Sequence, residues 1–153
     1  MRFLITDTPN ELTIKLFIEN LLRNDVKLLV GICGVNYKTA AFDAAEIEVK
    51  SLEFLEGTLP DGHVKQQWFR ILVEHQNQHR GSCVAVHCNS GLGRAALLVA
   101  MALIELGMSH DIAVAVIRNK RRGAINDAQF AYLKEYQPQS KMPRRRSGSC
   151  LVQ

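Results

Sequence analysis

Residues 87–95 read His-Cys-Asn-Ser-Gly-Leu-Gly-Arg-Ala, so that five residues, two of them glycine, separate a thiol from a guanidinium. Glycines let successive backbone N–H groups turn toward one point, and the N-terminus of a following helix adds its positive dipole end there. Arg94 supplies a planar fork suited to two oxygens of a phosphate. Asn89, Ser90, Gly91, Leu92, Gly93 and Arg94 therefore read as a cradle for a tetrahedral dianion, with Cys88 at its base. Such a cradle also favours the thiolate form of the cysteine beneath it. The chemistry implied is attack of sulfur on a phosphate monoester, then hydrolysis of the phosphocysteine. The alternative is a buried structural cysteine before a tight turn. The full His-Cys-x5-Arg spacing favours the cradle.

The elements around this loop must hold it still. SCVAVHC is an apolar run of buried-strand type that leads into the loop, and AALLVAMALIELG after it predicts a helix ending at Gly107. Upstream, MRFLIT reads as a first strand, bounded by Thr6-Asp7-Thr8-Pro9. ELTIKLFIENLLRN is helical in spacing, with Asn10 as its N-cap. VKLLVGIC is a short buried strand ending at Cys33, GVNYKTAAFDAAE reads as loop, and IEVKSLEF alternates like another strand. EGTLPDG is a loop by its Gly and Pro content, and HVKQQWFRILVEHQNQHR an amphipathic helix with Val64, Trp68, Ile71 and Leu72 inward. Ser109 opens a further helix, and Asn126 with Gln129 has capping-box spacing for a last one ending near Tyr136. Strands alternating with helices predict an α/β fold with a mostly parallel central sheet flanked by helices on both faces.

The chain has 153 residues, enough for one domain with a proper core. Residues 1–137 form that domain, and residues 138–153 read as a disordered tail: polar, basic and without periodicity. Lys plus Arg number 19 against 15 Asp plus Glu, and the tail's Lys141, Arg144, Arg145 and Arg146 account for the whole excess of +4. A neutral body argues against nucleic-acid binding, which needs charge spread over a folded face. No secretory leader is expected from MRFLITDTPNE, and the strongest apolar run is interrupted by Glu105, short of a membrane span. Four cysteines do not form a secreted disulfide framework. The five histidines do not pair with acids or cysteines at ligand spacing, so neither a metal nor another cofactor is expected.

The last four residues, Cys150-Leu151-Val152-Gln153, match a C-a-a-X box whose final Gln favours farnesyl on Cys150. One lipid chain anchors only marginally. Four basic residues beside an anionic leaflet add roughly 4 kcal/mol together. The pair of signals predicts residence at a membrane surface, on the cytoplasmic face of the plasma membrane and endosomes, with a membrane-bound partner or substrate.

VAVHCNSGLGRA resembles the cysteine-based protein phosphatases, and more closely the phosphatase of regenerating liver (PRL) family of small prenylated phosphatases. MRFLIT, the stretch from ALIE to Met108, IRNKRRGAIN and the pattern around Tyr132 and Tyr136 carry the same likeness, which runs from residue 1 to about Pro138. It implies a dual-specificity-type fold and a slow phosphatase acting on phosphoproteins, or on phosphoinositides. The resemblance also implies an alternative: a binding module that grips CNNM-type magnesium transport proteins with the same pocket. Self-association as a trimer on membranes is a further expectation from the family.

The likeness assigns roles and exposes departures. The family's general acid is an Asp in a Trp-Pro-Phe-Asp-Asp-Gly loop, and the matching stretch here is LEFLEG, with Glu56 at the acid's place and Leu55 at the neighbouring Asp. Glu56 can donate the same proton, although its extra methylene displaces the carboxyl and misplacement by ~1 Å can cost ~100-fold. A solvated loop acid is the plainer reading of Glu56, and Asp61 is a weaker candidate for the acid. Most of the superfamily carries Ser or Thr after the loop arginine, where this chain has Ala95, as the PRL family does. Lacking that hydroxyl, hydrolysis of the phosphocysteine should be slowed roughly 10- to 100-fold. Ser90 is wrongly placed to substitute. Cys33 falls where the family keeps a cysteine that pairs with the catalytic one, which implies a redox disulfide between Cys33 and Cys88. Cys83 reads as core. Among the basic residues from Arg118 to Arg122, a solvated face at a helix end accounts for most. Arg122 or Asn126 is expected to line the pocket, with Ala124 and Ile125 as a shallow apolar rim.

Overall fold

Two strands are apolar on both faces and take the middle of the sheet: β2 (Val26–Gly31) and β4 (Cys83–His87). The chain's computed structural model describes residues 1–139, 142, 151 and 152. Around that centre, β1 (Arg2–Thr6), β3 (Glu48–Ser51) and β5 (Leu151–Val152) complete an all-parallel sheet in the order β3-β2-β4-β1-β5. Parallel neighbours require crossovers, which the helices provide. These are α1 (Ile14–Arg23), α2 (Ala40–Ala44), α3 (Gly62–Gln78), α4 (Arg94–Glu105), α5 (His110–Lys120) and α6 (Asp127–Glu135).

Strand periodicity divides the core between two faces. Phe3, Ile5, Leu28, Val30, Val84 and Val86 pack with α3, α4 and Ile117 of α5 on one side. Leu29, Cys83 and Ala85 pack with Leu21 and Phe42 on the other. The expected two-faced α/β architecture is the one observed. Every residue of α4 is buried, because sheet on one side and α3, α5 and α6 on the other leave it no solvent face. Trp68 of α3 is fully buried against it and donates its Nε1–H to the Leu98 carbonyl at 2.9 Å. Glu105, which breaks the apolar run in sequence, fastens the chain beyond α6: it accepts from Tyr136 Oη at 2.7 Å and Gln139 N at 2.9 Å. Burial, reinforced by that carboxylate, keeps the Tyr136 hydroxyl protonated.

Three local expectations are corrected. The first helix starts at Ile14, a turn later than its expected cap, because Asn10 Oδ1 accepts from Leu12 N and Thr13 N and closes the preceding turn instead. The stretch read as loop after Cys33 contains α2, held down by Phe42, which meets the Phe17 ring edge-on at 6.2 Å. A five-residue helix with one buried apolar position has no period to read. Within the segment expected to be disordered, Leu151–Val152 pairs in parallel with Arg2 and Phe3, and the Met142 and Val152 side chains are buried. Cys150, Lys141 and Arg144–Arg146 lie outside the described residues. No helix among the described residues is long and apolar enough to cross a membrane.

Candidate active site

The carboxyl ends of three strands meet beside Cys88. Thr6 of β1 and Gly31 of β2 both stand opposite His87 of β4, and Cys88 follows directly, only 3% exposed. This is the sheet edge at which open α/β folds place their ligands. The His87 ring fits because position 31 is glycine: a Cβ there would lie 2.9 Å from His87 Nε2. His87 is fully buried, and burial pushes its pKa down to about 4. Burial also raises the Tyr37 hydroxyl, with the Cys33 thiol adding to the effect, so Tyr37 stays protonated. Because Thr8 Oγ1 gives its one proton to the Cys88 carbonyl, the ring's own proton belongs on Nδ1, facing that hydroxyl, and Tyr37 Oη donates to His87 Nε2 across 2.7 Å. Nδ1 faces Thr8 Oγ1 at 3.4 Å and Cys33 Sγ at 3.8 Å. Thr8 Oγ1 in turn donates to the Cys88 carbonyl at 3.1 Å and lies 3.2 Å from Cys33 Sγ. One threonine hydroxyl joins Cys33, His87 and Cys88.

The loop from Asn89 to Gly93 connects Cys88 to the N-terminus of α4, as its glycines suggested. Gly91 has φ +67°, and a Cβ on it would meet Arg121 Nη2 at 2.6 Å and the Thr6 carbonyl at 2.8 Å. No other residue fits. The Ser90 hydroxyl is taken up locally, accepting from Leu92 N at 3.4 Å. Ala95, buried in the first turn of α4, offers no hydroxyl there. Arg94 is 8% exposed, and its Nη1 donates to the Phe54 carbonyl at 2.8 Å. One arm of the fork thus ties the LEFLEG stretch to the loop.

Beside Arg94 opens a cleft of about 380 Å³, lined by Cys33, Glu53, Leu55 and Glu56 among others. Glu56 stands exposed in a turn on its wall. Asp61 does not compete for the acid's place: its carboxylate caps α3, accepting from Val64 N at 2.8 Å. Leu55, at 76% exposure, leaves an apolar side chain at the mouth.

The basic stretch is mostly solvated, as expected, with Arg118, Lys120 and Arg122 exposed, yet two of its arginines also hold backbone carbonyls. Arg118 donates to the carbonyls of Ala124 (3.0 Å) and Ile125 (2.7 Å), and Arg121 donates to Ser90 O at 2.7 Å. Ile125 N donates to Leu92 O at 2.8 Å, docking the 123–126 segment on the cradle. The expected apolar rim is corrected here, since Ala124 (1%) and Ile125 (2%) are buried beneath the surface. Ile125 holds φ +61°, a strained state for a β-branched residue, kept by this docking. Asn126 makes the expected capping box with Gln129, so its side chain serves α6, while Arg122 is exposed.

Cys33, Cys83 and Cys88 are free thiols in this structure. Burial chiefly pushes the Cys83 thiol up to about 11, in keeping with a core role. Among the described residues, no three His, Cys, Asp or Glu side chains gather to hold a metal ion. The sequence reading passed over Thr8, Tyr37 and Arg121. Thr8 alone left a signal, since it lies just past the end of the first strand expected in a mostly parallel sheet.

The geometry can hold a tetrahedral anion against a sulfur nucleophile, and comparison with known proteins agrees. The protein-tyrosine phosphatase sequence profile matches residues 56–136. The PRL-1 phosphatase of Drosophila melanogaster is 44% identical, with all of this chain and 88% of that protein aligned. Protein tyrosine phosphatase type IVA 2 of Mus musculus is 42% identical over all of this chain and 92% of its own. Among solved structures, a protein tyrosine phosphatase (putative) from Leishmania major superposes with a TM-score of 0.75 at 34% identity, covering 88% of this chain and 87% of that one.

Proposed function

Since the chain belongs to the PRL (type IVA) family of cysteine-dependent protein tyrosine phosphatases, we propose that it removes phosphate from phosphoproteins through Cys88, Arg94 and Glu56. The observation that carries this reading is the placement of Cys88 at the convergence of three strand ends, directly below a glycine loop and the N-terminus of α4. Substrate oxygens sit on the loop amides and the Arg94 fork, and the Cys88 thiolate attacks phosphorus as the P–O bond to the leaving group breaks. Glu56 gives its proton to the departing oxygen. It then takes a proton from water, whose oxygen attacks phosphorus, and the P–S bond breaks to return the thiolate. Ala95 supplies no hydroxyl for that second departure, which makes phosphocysteine hydrolysis the slow step.

A redox arm accompanies this chemistry. Cys33 and Cys88, joined through Thr8, are proposed to form a disulfide when a peroxide oxidises the Cys88 thiolate to the sulfenic acid and the Cys33 sulfur then displaces its oxygen as water, shutting off the nucleophile. Farnesylation of Cys150 and the basic tail are proposed to hold the enzyme at the cytoplasmic face of the plasma membrane and endosomes, where phosphoinositides are a second substrate class and trimers form.

A second reading treats the pocket as a grip on CNNM-type magnesium transport proteins. The slow second step favours occupancy over turnover, whereas the exposed Leu55 at the mouth stands where the family's binding mode would use an Asp and counts against the grip. The two readings separate with Cys88→Ser and Glu56→Gln proteins. On the enzyme reading, Glu56→Gln lowers kcat/KM about 100-fold for an alkyl phosphate with a poor leaving group and only slightly for one with a good leaving group. An equal effect on both substrates removes Glu56 from the mechanism. Capture of a transporter cytosolic domain by wild type, without phosphocysteine on acid quench, supports the second reading.

A further inference from the structure

We propose that Arg121 is a positioning residue for the phosphate cradle, fixing the Ser90–Gly91 peptide so that its N–H faces the bound anion; this rests on the phosphatase reading of the site. Arg121 stands at the end of α5, outside the cradle in sequence by 31 residues from Ser90. Its Nη2 donates to the Ser90 carbonyl at 2.7 Å and to the Asp7 carboxylate at 2.5 Å, and its Nη1 donates to the Ile5 carbonyl at 3.4 Å. The guanidinium therefore bolts the loop to the end of β1. A trans peptide puts C=O and N–H on opposite sides of one plane. With the Ser90 oxygen drawn back to Arg121, the Gly91 N–H is turned to the other side, where the cradle must present donors.

Glycine at 91 belongs to the same device. Any Cβ there would collide with Nη2 at 2.6 Å, so the close approach of guanidinium and loop exists only without a side chain. Arg121 is also neutralised where it stands. Its fork is spent on one carboxylate and two carbonyls, and its side chain is 25% exposed. That arrangement suits bracing, not a second anion subsite. Lysine could not do the same, since one ammonium nitrogen cannot reach acceptors that Arg121 divides between Nη1 and Nη2.

The test uses the full chain with Arg121→Met, Arg121→Lys and Asp7→Asn, and Arg80→Ala on the exposed loop after α3 as a charge control. Orthovanadate inhibition, kcat and KM for a small aryl phosphate, the rate of Cys88 alkylation by iodoacetamide at pH 7, and the melting temperature are measured for each. Loss of one aimed donor predicts orthovanadate binding about tenfold weaker in Arg121→Met and about threefold weaker in Arg121→Lys, with alkylation slowed in step. Arg80→Ala should match wild type. Unchanged orthovanadate affinity and alkylation in Arg121→Met overturn the proposal. So does a defect confined to substrates with a second negative group, since that pattern means direct contact. Should Arg121→Met not fold, Arg121→Lys and Asp7→Asn decide by the same readings at equal melting temperature: weakened orthovanadate binding supports the brace, and wild-type binding refutes it. Failure of the wild-type protein itself to bind orthovanadate would strike the phosphatase reading instead.

Discussion

Replacing His75 with glutamine should make the protein markedly more resistant to mild acid. His75 is 4% exposed on α3 and its Nε2 lies 2.9 Å from Ser82 Oγ, while His87 is fully buried beside Tyr37. Burial, aided at His75 by the neighbouring His79, pulls both imidazoles down to about 4. In the unfolded chain each titrates near ~6.5. Because the folded values lie below the unfolded ones, the unfolded chain binds more protons throughout that window. The stability each neutral ring permits is complete above about pH 6.5, declines as pH falls, and is fully lost below about pH 4. A gap of roughly 2.5 units at 1.36 kcal/mol per unit is about 3 kcal/mol per histidine, so the pair can remove about half of a typical domain's stability. Urea unfolding at pH 7.5, 6.5, 5.5 and 5.0 reads this directly. Between pH 6.5 and 5.0, His75→Gln should lose about 2 kcal/mol less than wild type, since glutamine keeps a partner for Ser82 without titrating. Carboxylates common to both proteins cancel in the difference. Parallel stability curves for the two proteins would refute the reasoning. Activity should fall with the fold on the acid side, because charging His87 ejects the ring that underlies Cys88.

Two substitutions probe the cradle and its support. Ala95→Ser should shorten the life of the phosphocysteine intermediate roughly 10- to 100-fold by giving the departing thiolate a donor, read by acid quench and steady-state kcat; an unchanged lifetime would show that hydrolysis is not limited there. Gly31→Ala should destabilise the protein by about 1–3 kcal/mol and weaken the Tyr37–His87 hydrogen bond, because the added methyl would lie 2.9 Å from a ring that cannot retreat; an unaltered urea midpoint would contradict that contact.

Much of the chemistry is local, and local chemistry is written in order along the chain. Cys88, the glycines, Arg94 and the apolar run after them are contiguous, so the strand, the loop and the helix N-terminus could be read without knowing what packs against them. The largely apolar runs at β2 and β4, broken only by Lys27 and His87, likewise announced a parallel sheet covered on both faces. What supports the cradle is not local. Thr8, Tyr37 and Arg121 reach it across 80, 50 and 31 residues, to Cys88, His87 and Ser90 respectively. Thr8 at least follows a strand end, but nothing in the neighbourhoods of Tyr37 and Arg121 distinguishes them from loop and helix-end residues. Asp61 and the Ala124–Ile125 rim misled for the matching reason: both look polar or open in sequence, yet a helix cap claims the first and burial claims the second. Sequence alone determined which groups could react, because side-chain type and backbone freedom are intrinsic. Tertiary structure alone decided which groups hold them in place, because a hydrogen bond depends on where the sheet brings distant strand ends together.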